Sequence, residues 1–368
     1  MMLPSTGARS PLFALAVSAG FVLIFIFGFL AWQSPPHIPF PSSTHGTKPP
    51  PQAAASINAI QDVIRVLFEP LKASPTDPFI TQDNGTKIEL PPNPRYKKTL
   101  GSDVLVLDLD TRPLKSTEEY ERGEFDWRKL NHVSGGVFNH YVYAMIHGYD
   151  YKFIHARNFE DRHATWVKPS ALANHIKNYK FIVFLDADAT FRFLHVPIEW
   201  MLNYWQIEPK DAITMALDPW DPKEPQYNSD RFNRTYTNTG FMVVQNNKEI
   251  MPILKDWHEC PDDTKYANCS QWMPKEARFH EQSAFGEYIR YDYENSIREL
   301  PCAEANGFPG VQISNCQGKF IRHYWFEKSL VKKDFSENMM NALTLPIQRM
   351  FAENTGGVIV EQEENVIH

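Results

Sequence analysis

Asp186 and Asp188 stand at the end of the run FIVFLDADAT, where five apolar residues, 181–185, lead directly into two carboxylates separated by one alanine. Read as a buried strand, this run delivers both acids to its C-terminal end, the edge of an open α/β sheet at which ligands bind. Alternate strand residues point the same way, so Asp186 and Asp188 can converge on one cation, whose charge also bridges a diphosphate. Carboxylate and phosphate oxygens suit a hard divalent ion, Mn2+ or Mg2+. Its chemistry would be Lewis-acid assistance to a departing nucleoside diphosphate. The plain alternative is a solvated turn after a strand, although two acids so close repel unless positive charge lies between them.

Apolar strand-like runs alternate with helical patterns around this motif, the order of an α/β sheet flanked by helices. Residues 102–107 read as a first strand. Ser134 is expected to cap a helix through His147 that Gly148 ends, 151–155 read as a second strand, and Pro169 opens a helix through Tyr179. After the motif strand, 197–205 and 281–289 read as helices, and 212–217, 241–245 and 320–324 as strands. The catalytic domain is expected over 100–335, followed at 336–368 by a helix and an acidic tail.

The 368 residues are 43% hydrophobic and 13% aromatic, enough for a full-sized core. Net charge is -7, from 37 basic and 44 acidic side chains without a basic run, so nucleic acid is not an expected partner. Residues 12–32 form 21 consecutive uncharged positions, long enough as helix to cross roughly 30 Å of hydrocarbon. A cleaved signal peptide competes with this reading, but its apolar core is usually shorter. Arg9 precedes the span and Lys48 is the first basic residue after it, which favours a short cytoplasmic tail at 1–11 and a single-pass anchor. The Pro-, Ser- and Thr-rich chain that follows reads as a stem over 33–99, with an amphipathic helical stretch at 57–71.

A luminal domain agrees with two further features. Three glycosylation sequons begin at Asn84, Asn233 and Asn268. All four cysteines, 260, 269, 302 and 316, lie in the C-terminal half, and neighbour pairing is expected among the three connectivities open to them. No C-x2-C pair supports zinc.

Several segments together resemble the retaining glycosyltransferase family of fungal α-1,2-galactosyltransferases, fungal α-1,6-mannosyltransferases and plant xyloglucan xylosyltransferases. They are NHYVYAMIHGYDY from Asn139, W-x-K from Trp166 to Lys168, FLDADAT, TNTGFMVVQN from Thr237 and HEQSAF from His280, in order over roughly 100–330. The resemblance implies a GT-A fold, a mixed and mainly parallel sheet flanked by helices behind an N-terminal transmembrane helix and stem. It implies a type II Golgi membrane enzyme that transfers a hexosyl group from UDP-galactose or GDP-mannose to a glycan acceptor with retention. Association with other Golgi transferases is a further expectation of the resemblance.

Carried over residue by residue, Asp186 and Asp188 would hold the metal and the donor, with His323 in GKFIRHYW as third ligand. Lys319 and Arg322 beside it could hold phosphates. Asn238, Thr239, Gly240 and Glu281 would line the acceptor side, with glycine admitting substrate to the backbone, and Gln282 would meet the reacting sugar face. No nucleophile is assigned. The sequence departs from the family pattern in lacking tryptophan in the motif strand and in its loop between Cys260 and Cys269, which could reshape the acceptor site.

Two other functions share these features. A haloacid dehalogenase-type phosphatase uses an apolar strand ending in D-x-D-x-T, but that motif opens its domain, whereas here about 85 residues of the domain precede it and no later strand carries an acidic pair. A non-catalytic luminal sugar-binding protein differs only in lacking the chemistry.

Overall fold

The computed structural model describes residues 51–82, 84–112, 126–310 and 316–362. The apolar segment 12–32, the segment 1–11 expected to be a cytoplasmic tail and the last six residues lie outside them, and no helix among the described residues is long and apolar enough to cross a membrane.

The unit Met1–Asn58 is described only from Pro51, where the helix Pro51–Phe68 begins. The compact unit Ala59–His368 holds the site and begins upstream of the boundary expected near Leu100. Burial explains the difference. Phe68, Ile80 and Ile88 enter the same apolar cluster as the central strands. The chain before Leu100 also bonds to the helix Ile198–Tyr204, with Asn203 Oδ1 accepting from the Tyr96 amide at 2.8 Å and Trp200 Nε1 donating to the Asp77 carbonyl at 2.9 Å. A small hairpin, β1 (Phe79–Thr81) and β2 (Lys87–Glu89), lies within this segment.

The sheet is built from β3 (Val104–Asp110), β4 (Asp150–His155), β5 (Phe181–Leu185), β7 (Ile213–Leu217), β8 (Thr237–Gln245) and β9 (Ile297–Leu300). Their order is β4-β3-β5-β8-β7-β9, and β8 runs antiparallel to both of its neighbours while the other pairs are parallel. This is the mixed, mainly parallel sheet expected. Two short strands, β6 (Ala189–Phe191) and β10 (Ile321–His323), pair antiparallel beside it.

Alternation places one side chain set on each face. Val104, Val106, Phe181, Val183 and Leu185 join one buried cluster with the helices Ser134–His147 and Ile198–Tyr204. Leu105, Leu107, Ile182 and Phe184 join the other, with the helices Lys168–Ile176 and Ile250–Glu259. Each such side chain, fully buried, contributes on the order of 1.5–3 kcal/mol, and covering both faces yields continuous apolar strands.

The helix limits differ from expectation in instructive ways. Ser134 is the first helical residue and makes no capping bond; Gly148, left-handed at φ 71°, ends the helix as expected. A Cβ on Gly136 would lie 2.1 Å from the Ala187 carbonyl oxygen, so the glycine lets this helix press on the Asp186–Asp188 turn. The helix expected over 281–289 begins at His280–Ala284 and passes into a π turn, Phe285–Ile289. The C-terminal helix is long, Leu330–Glu353. Disulfides join Cys260 to Cys269 and Cys302 to Cys316, and all three sequon asparagines are exposed.

Candidate functional site

The carboxylates after β5 meet the start of β8, because antiparallel pairing sets Leu185 opposite Phe241 and the Asp186 amide donates to the Gly240 carbonyl at 2.8 Å. The chain then turns into β6, which pairs with β10 so that Ala189 faces His323. Asp186, Asp188 and His323 thereby each offer a ligand atom, all within 4.8 Å of one another. His323 Nε2 lies 3.2 Å from Asp188 Oδ1, while Nδ1 bonds to Asn306 Oδ1 at 2.8 Å. Two carboxylates and one imidazole with its other nitrogen engaged form a donor set that fits a divalent cation.

Charge around the set is unevenly distributed. Lys168 is buried and its Nζ lies 3.0 Å from Asp186, 3.2 Å from Glu281 and 3.3 Å from both the carbonyl and the hydroxyl of Thr239. Burial alone would lower its pKa, but the Asp186 and Glu281 carboxylates hold it well above the ordinary lysine value. Burial raises the Asp186 carboxyl, with Lys168 opposing and Asp188 reinforcing. Burial also works against charge on Asp188, yet His323 and Lys328, the latter 2.8 Å away, hold it well below the usual carboxylate range.

Two cavities touch residues of this donor set. One, about 210 Å³, is lined by the end of β3 with Thr111 and Arg112, and by Thr165, Lys168 and Asp186. The other, about 520 Å³, is lined by Asp218, Asp221, Glu224, Asn238, Gln282 and His323 with the rings of Tyr227, Phe279, Trp325 and Phe326. Of the three candidate ligands, Asp186 lines the smaller cavity and His323 the larger.

The remaining expected residues divide. Asn238 and Gln282 line the larger cavity, and both bond to the buried Asp218, at 2.8 Å each. Burial raises the Asp218 carboxyl against these donors. Thr239 is buried, its amide donating to Gln282 Oε1 and its hydroxyl to Glu281 Oε1, both at 3.0 Å. Glu281 is 2% exposed and faces Lys168 rather than a cavity. Gly240 admits the His323 ring, not substrate: a Cβ there would meet His323 Cε1 at 2.2 Å. Lys319 bonds to Glu304 and to the Tyr204 hydroxyl, and Arg322 pairs with Asp334; neither lines either of these two cavities. The Cys260–Cys269 loop supplies no lining residue, since its cysteines and Tyr266 pack into the core.

Sequence reasoning missed Asp218, Lys168, Asn306 and Lys328. Asp218 had a readable signal, as it follows β7 just as Asp186 follows β5.

No family model and no curated protein sequence matches the chain. Among solved structures, a glycosyltransferase involved in the glycosylation of the major capsid of PBCV-1 aligns at a TM-score of 0.44 and 14% identity, covering 63% of this chain and 98% of its own. The galactosyltransferase LgtC, in complex with donor and acceptor sugar analogues, aligns at 0.34 and 12% identity, covering 53% and 76%. At these values the likeness carries no argument, and function must be read from the site.

Proposed function

We propose that this chain is a metal-dependent glycosyltransferase that moves a hexosyl group, galactose or mannose, from a nucleotide-sugar to a glycan acceptor with retention of configuration. One observation carries the reading: a divalent-ion donor set contributes Asp186 to the wall of one cavity and His323 to the wall of another, an arrangement suited to a reaction that joins two substrates. The smaller cavity, with Arg112 and Lys168 near it, takes the nucleotide; the larger, with rings and hydrogen-bonding groups, takes sugar.

Asp186, Asp188 and His323 would hold Mn2+, which when bound supplies charge neutralisation to the leaving diphosphate. Lys168, itself buried between Asp186 and the buried Glu281, keeps Asp186 in place. Lys328, more than half exposed, is the cation free to turn from Asp188 toward a phosphate. Asp218 and the Thr239 amide fix the Gln282 side chain at the wall of the sugar cavity. The acceptor hydroxyl attacks the anomeric carbon as the bond to the phosphate oxygen breaks, and its proton passes to that oxygen, which balances the step without a separate base.

A phosphatase fits less well, because β3 and β4 precede the motif strand and the third ligand comes from β10. The apolar segment 12–32, the sequons and the cysteines support anchorage in a Golgi membrane as a type II protein, with the site luminal.

The test is turnover by the full chain in detergent, with Mn2+ and a panel of nucleotide-sugars, beside Asp188→Ala. Metal-dependent release of nucleoside diphosphate, lost in the variant, and an α-linked product from an α-linked donor are expected. Phosphatase activity, or glycan binding without turnover of any donor, would overturn the proposal.

A further inference from the structure

We propose that Asn306 is the positioning residue that fixes the tautomer of His323 and so presents its Nε2 lone pair to the cation; the inference rests on the metal site proposed above. Asn306 follows the one-turn helix Cys302–Ala305 and is 1% exposed. Its amide orientation is dictated by its neighbours. The Trp325 indole can only donate, and its Nε1 lies 3.2 Å from one end of the amide, which is therefore the oxygen. The other end faces two acceptors, the Leu217 carbonyl at 3.1 Å and Asp218 Oδ1 at 3.2 Å, and is therefore the nitrogen.

The atom 2.8 Å from His323 Nδ1 is thus an acceptor, and Nδ1 carries the proton. That leaves the Nε2 lone pair of the neutral ring facing Asp188 Oδ1 at 3.2 Å. Two acceptors in that relation need a proton or a cation between them. The backbone of Asn306 is itself held, its amide donating to the Cys302 carbonyl at 3.0 Å and its own carbonyl packing against the Cys302–Cys316 disulfide. Through Asp218, the same side chain also connects to Asn238 and Gln282, so one amide sets both a metal ligand and the wall of the sugar cavity.

The experiment uses the full chain in detergent with 15N-labelled histidine, and a His323→Asn variant identifies the signal. In the metal-free wild type at alkaline pH, His323 is expected as the Nδ1–H tautomer. Asn306→Leu should lose that tautomer and weaken Mn2+ binding, followed by electron paramagnetic resonance of free Mn2+, roughly 10- to 100-fold. Asn306→Asp keeps an acceptor at the same place and should restore both, a rescue that a purely structural role does not give. If Asn306→Leu does not fold, Asn306→Ser, too short to reach the ring, carries the same expectation. An Nε2–H tautomer in the wild type, or wild-type Mn2+ affinity in the leucine or serine variant, overturns the assignment. Failure of the wild type to bind Mn2+ would sink the metal reading, and the metal-free tautomer would still decide the role of Asn306.

Discussion

The imidazole of His323 occupies the space that a side chain on residue 240 would fill, 2.2 Å from an ideal Cβ on Gly240. The ring cannot simply retreat, because it is buried and held by Asn306. Gly240→Ala is expected to displace it, weakening Mn2+ binding and lowering stability by about 1–3 kcal/mol through overpacking. Mn2+ titration and urea unfolding check this. Unchanged affinity would show that His323 has room to move or holds no metal.

Lys168 lies between two carboxylates in a buried position, so its loss leaves like charges facing each other. Lys168→Met is expected to destabilise the fold by about 3–5 kcal/mol. Adding Glu281→Gln should recover part of that loss, because it removes one of the two stranded charges. Urea midpoints for the single and double variants measure the coupling; additive losses would mean that the pair does not act as a unit.

Lys328 is exposed and its Nζ reaches Asp188 at 2.8 Å. Lys328→Ala should change stability by less than about 0.5 kcal/mol, as exposed positions do. Affinity for a nucleoside diphosphate in the presence of Mn2+ should fall by about 1.5–3 kcal/mol, the scale of a hydrogen bond to a charged group. Calorimetry with UDP and GDP reads this directly, and an unaltered affinity for both would remove Lys328 from phosphate binding.

Stability should depend on pH through a residue far from the chemistry. Burial pushes the His147 imidazole down to about 3, and its Nε2 donates to the Leu194 carbonyl at 2.9 Å. An unfolded histidine titrates near 6.5, so between these values the unfolded chain binds a proton that the folded chain does not. The stability present above about pH 6.5 is therefore lost as pH falls toward 3, at up to about 1.4 kcal/mol per pH unit. His147→Gln keeps a donor for Leu194 without the titration and should flatten that part of the slope. Parallel slopes for the two proteins between pH 5 and 7 would contradict the assignment.

The sheet strands of the site were readable because each is an apolar run bounded by turns, and Asp186 and Asp188 were readable because acids immediately after such a run are conspicuous. His323 was reached by resemblance rather than by pattern, since β10 has only three residues. Thr239 and Glu281 were expected at the surface of a pocket; β8 begins at Thr237, four residues before the strand start expected, which draws Thr239 into the sheet interior. Lys168 stood out only within the W-x-K segment, with no role attached, and Asn306 had no local signal. Their roles depend on partners 17 to 113 residues away in sequence, such as His323 for Asn306 and Glu281 for Lys168, which no local pattern reveals. The hairpin before Leu100 was hidden by a Pro-rich composition that suggested a solvated stem.

Because β8 alone runs against its neighbours, the connection from β7 to β8 both leaves and returns at the edge that carries Asp186 and Asp188. That single excursion, 218–236, contributes Pro219, Asp221, Glu224, Tyr227 and Asn228 to the larger cavity, while the three proposed ligands lie on or beside β5, β6 and β10. Variation in the excursion beyond Asp218, which holds Asn306 and Gln282, can therefore change which molecule is accepted without disturbing the proposed metal centre. The reversed strand divides the molecule into a portion free to diversify and a portion held fixed.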